Sequence, residues 1–133
     1  MCLNKELKDK SEKPVALIRS KDLKDIKVIN KDLIEIGEIE DIIVDYNHGV
    51  LAYAVVSIEN ILNEKLHIIP WQCFEFNPIE NAFELKVEKD KLKKAPSFNK
   101  GEWPDFQDLK WQTDIHTYYA ITPYWRVQGE HVG

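Results

Sequence analysis

The sequence predicts an all-β domain, a small antiparallel barrel or sandwich, with a short helical, aromatic-rich C-terminal extension. Three observations predict it. Residues 50–58 read VLAYAVVSI, a strand-length run that is apolar on both faces. Before it, residues 34–45 read IEIGEIEDIIVD, rich in β-branched side chains, and Tyr46-Asn47-His48-Gly49 supplies the hairpin turn between the two. Shorter runs at residues 26–29, 65–69, 71–76 and 83–87 follow the same habit, separated by turn residues and not by helices, which excludes a parallel α/β sheet.

Each element has a local reason. Residues 1–14 alternate Lys with Glu and Asp and read as a flexible charged tail ending at Pro14. Residues 15–18, VALI, form the first apolar run, and Asp22-Leu23 opens a short turn. Residues 26–29 alternate as a strand, and Asn30-Lys31-Asp32 is turn chemistry. Gly37 inside the next strand marks a bulge or tight bend. Strand 50–58, apolar on both sides, requires a second layer outside the sheet. Residues 59–64 read as a loop or single turn, Pro70 closes strand 65–69, residues 71–76 continue extended, and Asn77-Pro78 begins a turn. Residues 88–94 suit a helix anchored by Leu92, and residues 95–98 break it. Asp105 or Asp108 caps a last helix reaching about Tyr119, with Ile115 and Tyr118/Tyr119 on one face. The domain therefore divides into tail 1–14, barrel 15–94 and an aromatic extension 95–133 that packs on the barrel.

Composition bounds the function. The 133 residues make one domain, 44% hydrophobic and 31% charged. A net charge of −5 and a pI near 5.4 argue against a general nucleic-acid binder and against adsorption to anionic lipid. No run reaches the roughly 18 apolar residues of a membrane span, and the charged start lacks the apolar core of a secretory signal, so the expected location is cytoplasmic. Cys2 and Cys73 read as reduced thiols with no CxxC spacing.

Several segments resemble a known family. Ile36-Gly37-Glu38-Ile39-Glu40-Asp41, then Asp45 before a Gly-containing turn, then Ala52-Tyr53-Ala54-Val55-Val56-Ser57, then Ile69-Pro70-Trp71, resemble the PRC-barrel domain. That family takes its name from the cytoplasmic domain of the photosynthetic reaction-centre H subunit. Ala95-Pro96-Ser97-Phe98, Trp103-Pro104-Asp105, Trp111, Ile115, Tyr118-Tyr119 and Pro123-Tyr124-Trp125 are similar to the extension of stand-alone bacterial members. The resemblance implies a β-barrel of about six strands serving as an adaptor or regulatory surface, with no shared catalytic residues. Relatives include a ribosome-maturation factor whose barrel binds a ribosomal protein. Where many relatives have a glycine-rich loop, residues 59–64 here contain no glycine.

The chemistry-bearing residues are weighed one group at a time. Glu35, Glu38, Glu40, Asp41 and Asp45 place five acids and no base within residues 35–45. They read first as a solvated strand face that blunts edge pairing, and second as a docking surface for a basic partner. His48, His67, His116 and His131 have no metal-ligand spacing, and His116 reads as a hydrogen-bonded structural histidine. No serine sits in a nucleophile elbow, and no glycine-rich phosphate loop exists. Residues 86–100 hold six lysines against Glu88 and Asp90 and read as a solvated linker, with RNA binding as the alternative.

Trp103, Trp111, Tyr118, Tyr119, Tyr124 and Trp125 read chiefly as cover for the outer face of the doubly apolar hairpin, with an interface or ligand pocket as the alternative. The expected function is a non-enzymatic adaptor without cofactor or metal that binds another protein. Its candidate surface is Glu38, Glu40, Asp41, Trp103, Trp111, Tyr118, Tyr119, Tyr124 and Trp125. The excess of aromatic rings also predicts a homodimer. A small-ligand or cofactor sensor using the aromatic segment and an RNA-processing or ribosome-maturation accessory protein are the other expectations.

Overall fold

The computed structural model describes residues 15–58 and 65–126. The charged tail 1–14 with Cys2, the loop 59–64 and the end 127–133 with His131 lie outside the described residues. In chain order the elements are α1 (Ser20–Leu23), β1 (Lys27–Ile29), β2 (Glu35–Asp45), β3 (Val50–Ile58) and β4 (Lys65–Pro70). A 3-10 turn (Trp71–Cys73) leads to β5 (Phe74–Asn77) and β6 (Ala82–Leu85), then α2 (Lys89–Lys93), β7 (Phe98–Asn99) and α3 (Leu109–Tyr118).

The strands hydrogen-bond in the order β5-β6-β1-β2-β3-β4-β7. This corrects the expected antiparallel barrel of about six strands in three ways. Among the described residues there are seven strands, since Phe98–Asn99, expected only as an extended break, pairs with Lys65 and Leu66 of β4. One pairing, β1 with β6, is parallel. It arises because β1 offers β2 one edge and takes β6, brought in by the β5–β6 hairpin, on the other. The order is also open, with β5 and β7 at its ends, so hydrogen bonding among the described residues does not close a barrel.

The hairpin β2–β3 is the spine. Its ladder runs from Gly37 opposite Ile58 to Asp45 opposite Val50, with irregularities between Ile39 and Asp41 and between Ile43 and Val44. The first places Glu40 as the extra residue of a bulge. Gly37 stands opposite Val28 in β1, beside another irregularity, and a Cβ there would lie 2.1 Å from the Ser57 carbonyl oxygen. The glycine is thus required by close backbone approach, more than by the bend alone. Gly49 closes the turn at φ +68.

Ala52 to Val56 are all buried, so both faces of β3 are covered. Alternation sends Tyr53 to the face opposite Ala52, Ala54 and Val56. On that face the Tyr53 ring meets Trp111 (centroids 6.0 Å apart) and His116 (5.5 Å), both from α3. The helix is the outer layer that the doubly apolar strand requires. Asp108 caps it by accepting a hydrogen bond from the Lys110 amide, worth about 1 kcal/mol. Asp105, the other cap candidate, builds the turn before it. The run Val15–Ile18 forms no strand, and Val15 and Leu17 are exposed.

Candidate functional site

Two neighbouring features join the sheet to the C-terminal segment. The first is a lock built on Asp45, the last residue of β2. Its Oδ1 accepts the amide hydrogens of Asn47 and His48, each at 3.0 Å, which shapes the hairpin turn. Its Oδ2 accepts His48 Nδ1 at 2.8 Å and the Tyr124 hydroxyl, 79 positions away in sequence. The Tyr124 hydroxyl is the largest cause that holds the Asp45 carboxyl below the usual carboxylate range, with the His48 contacts adding to it against partial burial. The Tyr124 hydroxyl is itself pushed upward, first by burial and then by Asp45.

Behind the lock sits a buried aromatic group. His116 is fully buried, and its ring lies 5.5 Å from Tyr53, 6.3 Å from Tyr124 and 5.1 Å from Trp125. Its Nδ1 is 2.8 Å from the Gln112 carbonyl oxygen. A carbonyl only accepts, so Nδ1 carries the proton and Nε2 is a bare acceptor. Burial holds the imidazole below its ordinary range, so it is neutral at pH 7. Nε2 and the Tyr53 hydroxyl are both buried without a protein partner. This group packs α3 and the segment after it against β3.

The second feature is on the surface. Asp41, Ile42, Ile43 and Val44 of β2 form a shallow depression of about 370 Å³ with Trp103 and Phe106. Trp103 is held by ring contacts to Phe98 of β7 (4.9 Å) and Phe106 (6.0 Å). The chain from β7 to α3 thereby crosses from the β7 edge to β2. Val44 is 54% exposed and Trp103 43% exposed, so this apolar surface meets water.

The structure sorts the nine residues of the expected surface. Asp41 and Trp103 come together at the depression, with Glu40 beside Asp41 as the bulge residue. Glu38 stands opposite Lys27 in the β1–β2 ladder. Trp111 covers Tyr53, Tyr119 is buried, and the Tyr118 hydroxyl donates to the Lys91 carbonyl, so these rings serve internal packing. Tyr124 belongs to the lock, and Trp125 packs edge-on against His116 and Tyr124. Val44 and Phe106 were missed, although Val44 continues the apolar run of β2 and Phe106 follows Trp103 by three positions. Asp45 had a visible signal, an acid directly before an Asn-His-Gly turn.

The lysine-rich stretch is no linker: α2 buries Leu92, Lys86 pairs with Glu75 at 2.7 Å, and Lys91 lies over the Tyr118 ring. A larger cleft, about 570 Å³, opens between the β1–β2 turn, Ile58 and residues 84–93. None of the aromatic residues 103–125 lines it. Among the described residues no group of three or more His, Cys, Asp or Glu is placed to hold a metal, and no helix is long and apolar enough to cross a membrane.

The open, bulged sheet around a doubly buried central strand defines a small β module. Comparison with known families matches residues 16–92 to the PRC-barrel domain, more than half of the chain, and the protein belongs to that family. The match ends within α2, so Trp103, Phe106, α3 and Tyr124 all lie beyond it. No curated protein matches the chain.

Proposed function

We propose that this protein is a non-enzymatic adaptor whose contact surface is made jointly by the PRC-barrel and its C-terminal segment. PRC-barrel membership supports a protein-interaction module at the coarse level. The observation that carries the finer reading is the exposed pairing of Val44 from the barrel with Trp103 from the extension. Exposed tryptophan beside aliphatic surface is the composition of interface centres. A hydrogen bond from Tyr124 to Asp45 ties the two parts together beside this surface.

The experiment is affinity capture from host extract with tagged wild-type chain and with Trp103→Ala, followed by mass spectrometry. The reading expects a discrete protein set retained by the wild type and lost with Trp103→Ala. An identical set with both chains, or none with either, would contradict it. Sedimentation of the purified chain at micromolar concentration tests the homodimer, which would bury roughly 1,200 Å² or more.

A further inference from the structure

We propose that the depression between β2 and Trp103 docks a basic segment of a partner protein, one that sets arginine or lysine beside aliphatic side chains. This rests on the adaptor reading and names the chemistry of its partner. The walls are aliphatic on one side (Ile42, Ile43, Val44) and aromatic on the other (Trp103, Phe106). Such walls suit the methylene stems of long basic side chains, which lie along apolar surface while their charged ends stay in water. The indole face also attracts cations, arginine above all.

Asp41 and the sequence neighbours of Trp103 supply the charge. Asp41 lines the depression and is exposed. Glu102 and Asp105, which flank Trp103, are exposed as well. Residues 38–45 contain no Lys, Arg or His. Lys100 is the nearest base before Trp103 in sequence, and Lys110 is engaged by Asp114 at 2.9 Å. A carboxylate in the lining, with two more next to Trp103 in sequence, favours a partner that pairs its charges as it buries its apolar groups. A neutral or acidic partner would desolvate Asp41 without compensation.

The test uses the full chain and a synthetic 12-residue peptide (about that length suffices to cross one face) alternating arginine and valine. A matched peptide carries glutamate for arginine. Binding is followed by calorimetry and by tryptophan fluorescence. The proposal expects the arginine peptide to bind and the glutamate peptide not to. Affinity should fall as salt rises from about 50 to about 200 mM. Asp41→Lys and Val44→Glu should each weaken binding at least about tenfold, roughly 1.4 kcal/mol, while Lys89→Glu at the distant cleft leaves it unchanged. Circular dichroism and melting confirm that each variant is folded; Asp41 is exposed, so Asp41→Lys keeps the test open if Val44→Glu fails to fold.

Arginine-peptide binding that is equal in wild type and Asp41→Lys would overturn the proposal, since attraction to a chain of net charge −5 would then suffice. Self-association abolished by Val44→Glu would overturn it too, making a second copy the occupant. A captured partner that ignores both variants would remove this site while leaving the adaptor reading intact. Peptide binding that meets every expectation in a chain that captures no protein would support the site and remove the adaptor reading.

Discussion

Removing one oxygen tests whether the extension is truly fastened to the barrel. Tyr124→Phe deletes the hydroxyl that donates to Asp45 Oδ2 and leaves the ring that meets His48 at 5.5 Å. A hydrogen bond to a charged group contributes about 1.5–3 kcal/mol. The Asp45 side chain is 23% exposed, so water competes and the lower end applies, about 1.5 kcal/mol. For a domain of this size that is roughly a 5 °C loss in Tm. The loss should depend on pH. Asp45 has a depressed folded pKa, so its stabilisation is full above the unfolded value of about 3.9 and is lost as pH falls through the folded value. Urea denaturation of wild type, Tyr124→Phe, Asp45→Asn and the double variant gives the coupling, expected at about 1 kcal/mol near pH 7 and fading below about pH 4. Additive single effects, or a coupling that persists unchanged in acid, would refute the reasoning.

Three further outcomes follow from burial. His67 and His116 are both held below the ordinary imidazole value of 6.5, chiefly by burial, so the unfolded chain takes up their protons first and stability should fall as pH drops below about 6.5. Replacing His116 by Phe should flatten that slope between about pH 5 and 7 in urea titrations. Gly37→Ala would drive a Cβ to 2.1 Å from the Ser57 carbonyl, so it should cost about 3 kcal/mol or more, read as a lowered urea midpoint or lost soluble expression. Cys73 is buried with its thiol pushed up to about 11, so in a Cys2→Ser chain a thiol reagent should label it only on unfolding.

Local chemistry was legible and long-range pairing was not. The turn at Asn30, the hairpin after Asp45, the cap at Asp108 and the two buried faces of β3 all follow from residues adjacent in sequence. The parallel union of β1 with β6 joins segments some 55 positions apart and leaves no trace in either segment's alternation. The two-residue strand Phe98–Asn99 is too short to carry a period. At the candidate site the acids of β2 and the ring of Trp103 were each visible. Their meeting depended on the path of the chain from β7 to α3, which no local pattern specifies. Periodicity did place Ile115 and Tyr119 on the buried side of α3, but it could not separate packed rings such as Trp111 from the exposed Trp103.

The most direct test of the joint surface is a titration of isotope-labelled protein with its captured partner, read by amide and indole NMR shifts. The account predicts shifts clustered at Asp41 to Val44 and at the Trp103 indole N–H, two regions brought together only by the extension lying on the barrel. Shifts confined to residues 30–36 and 84–93, around the larger cleft, would contradict it.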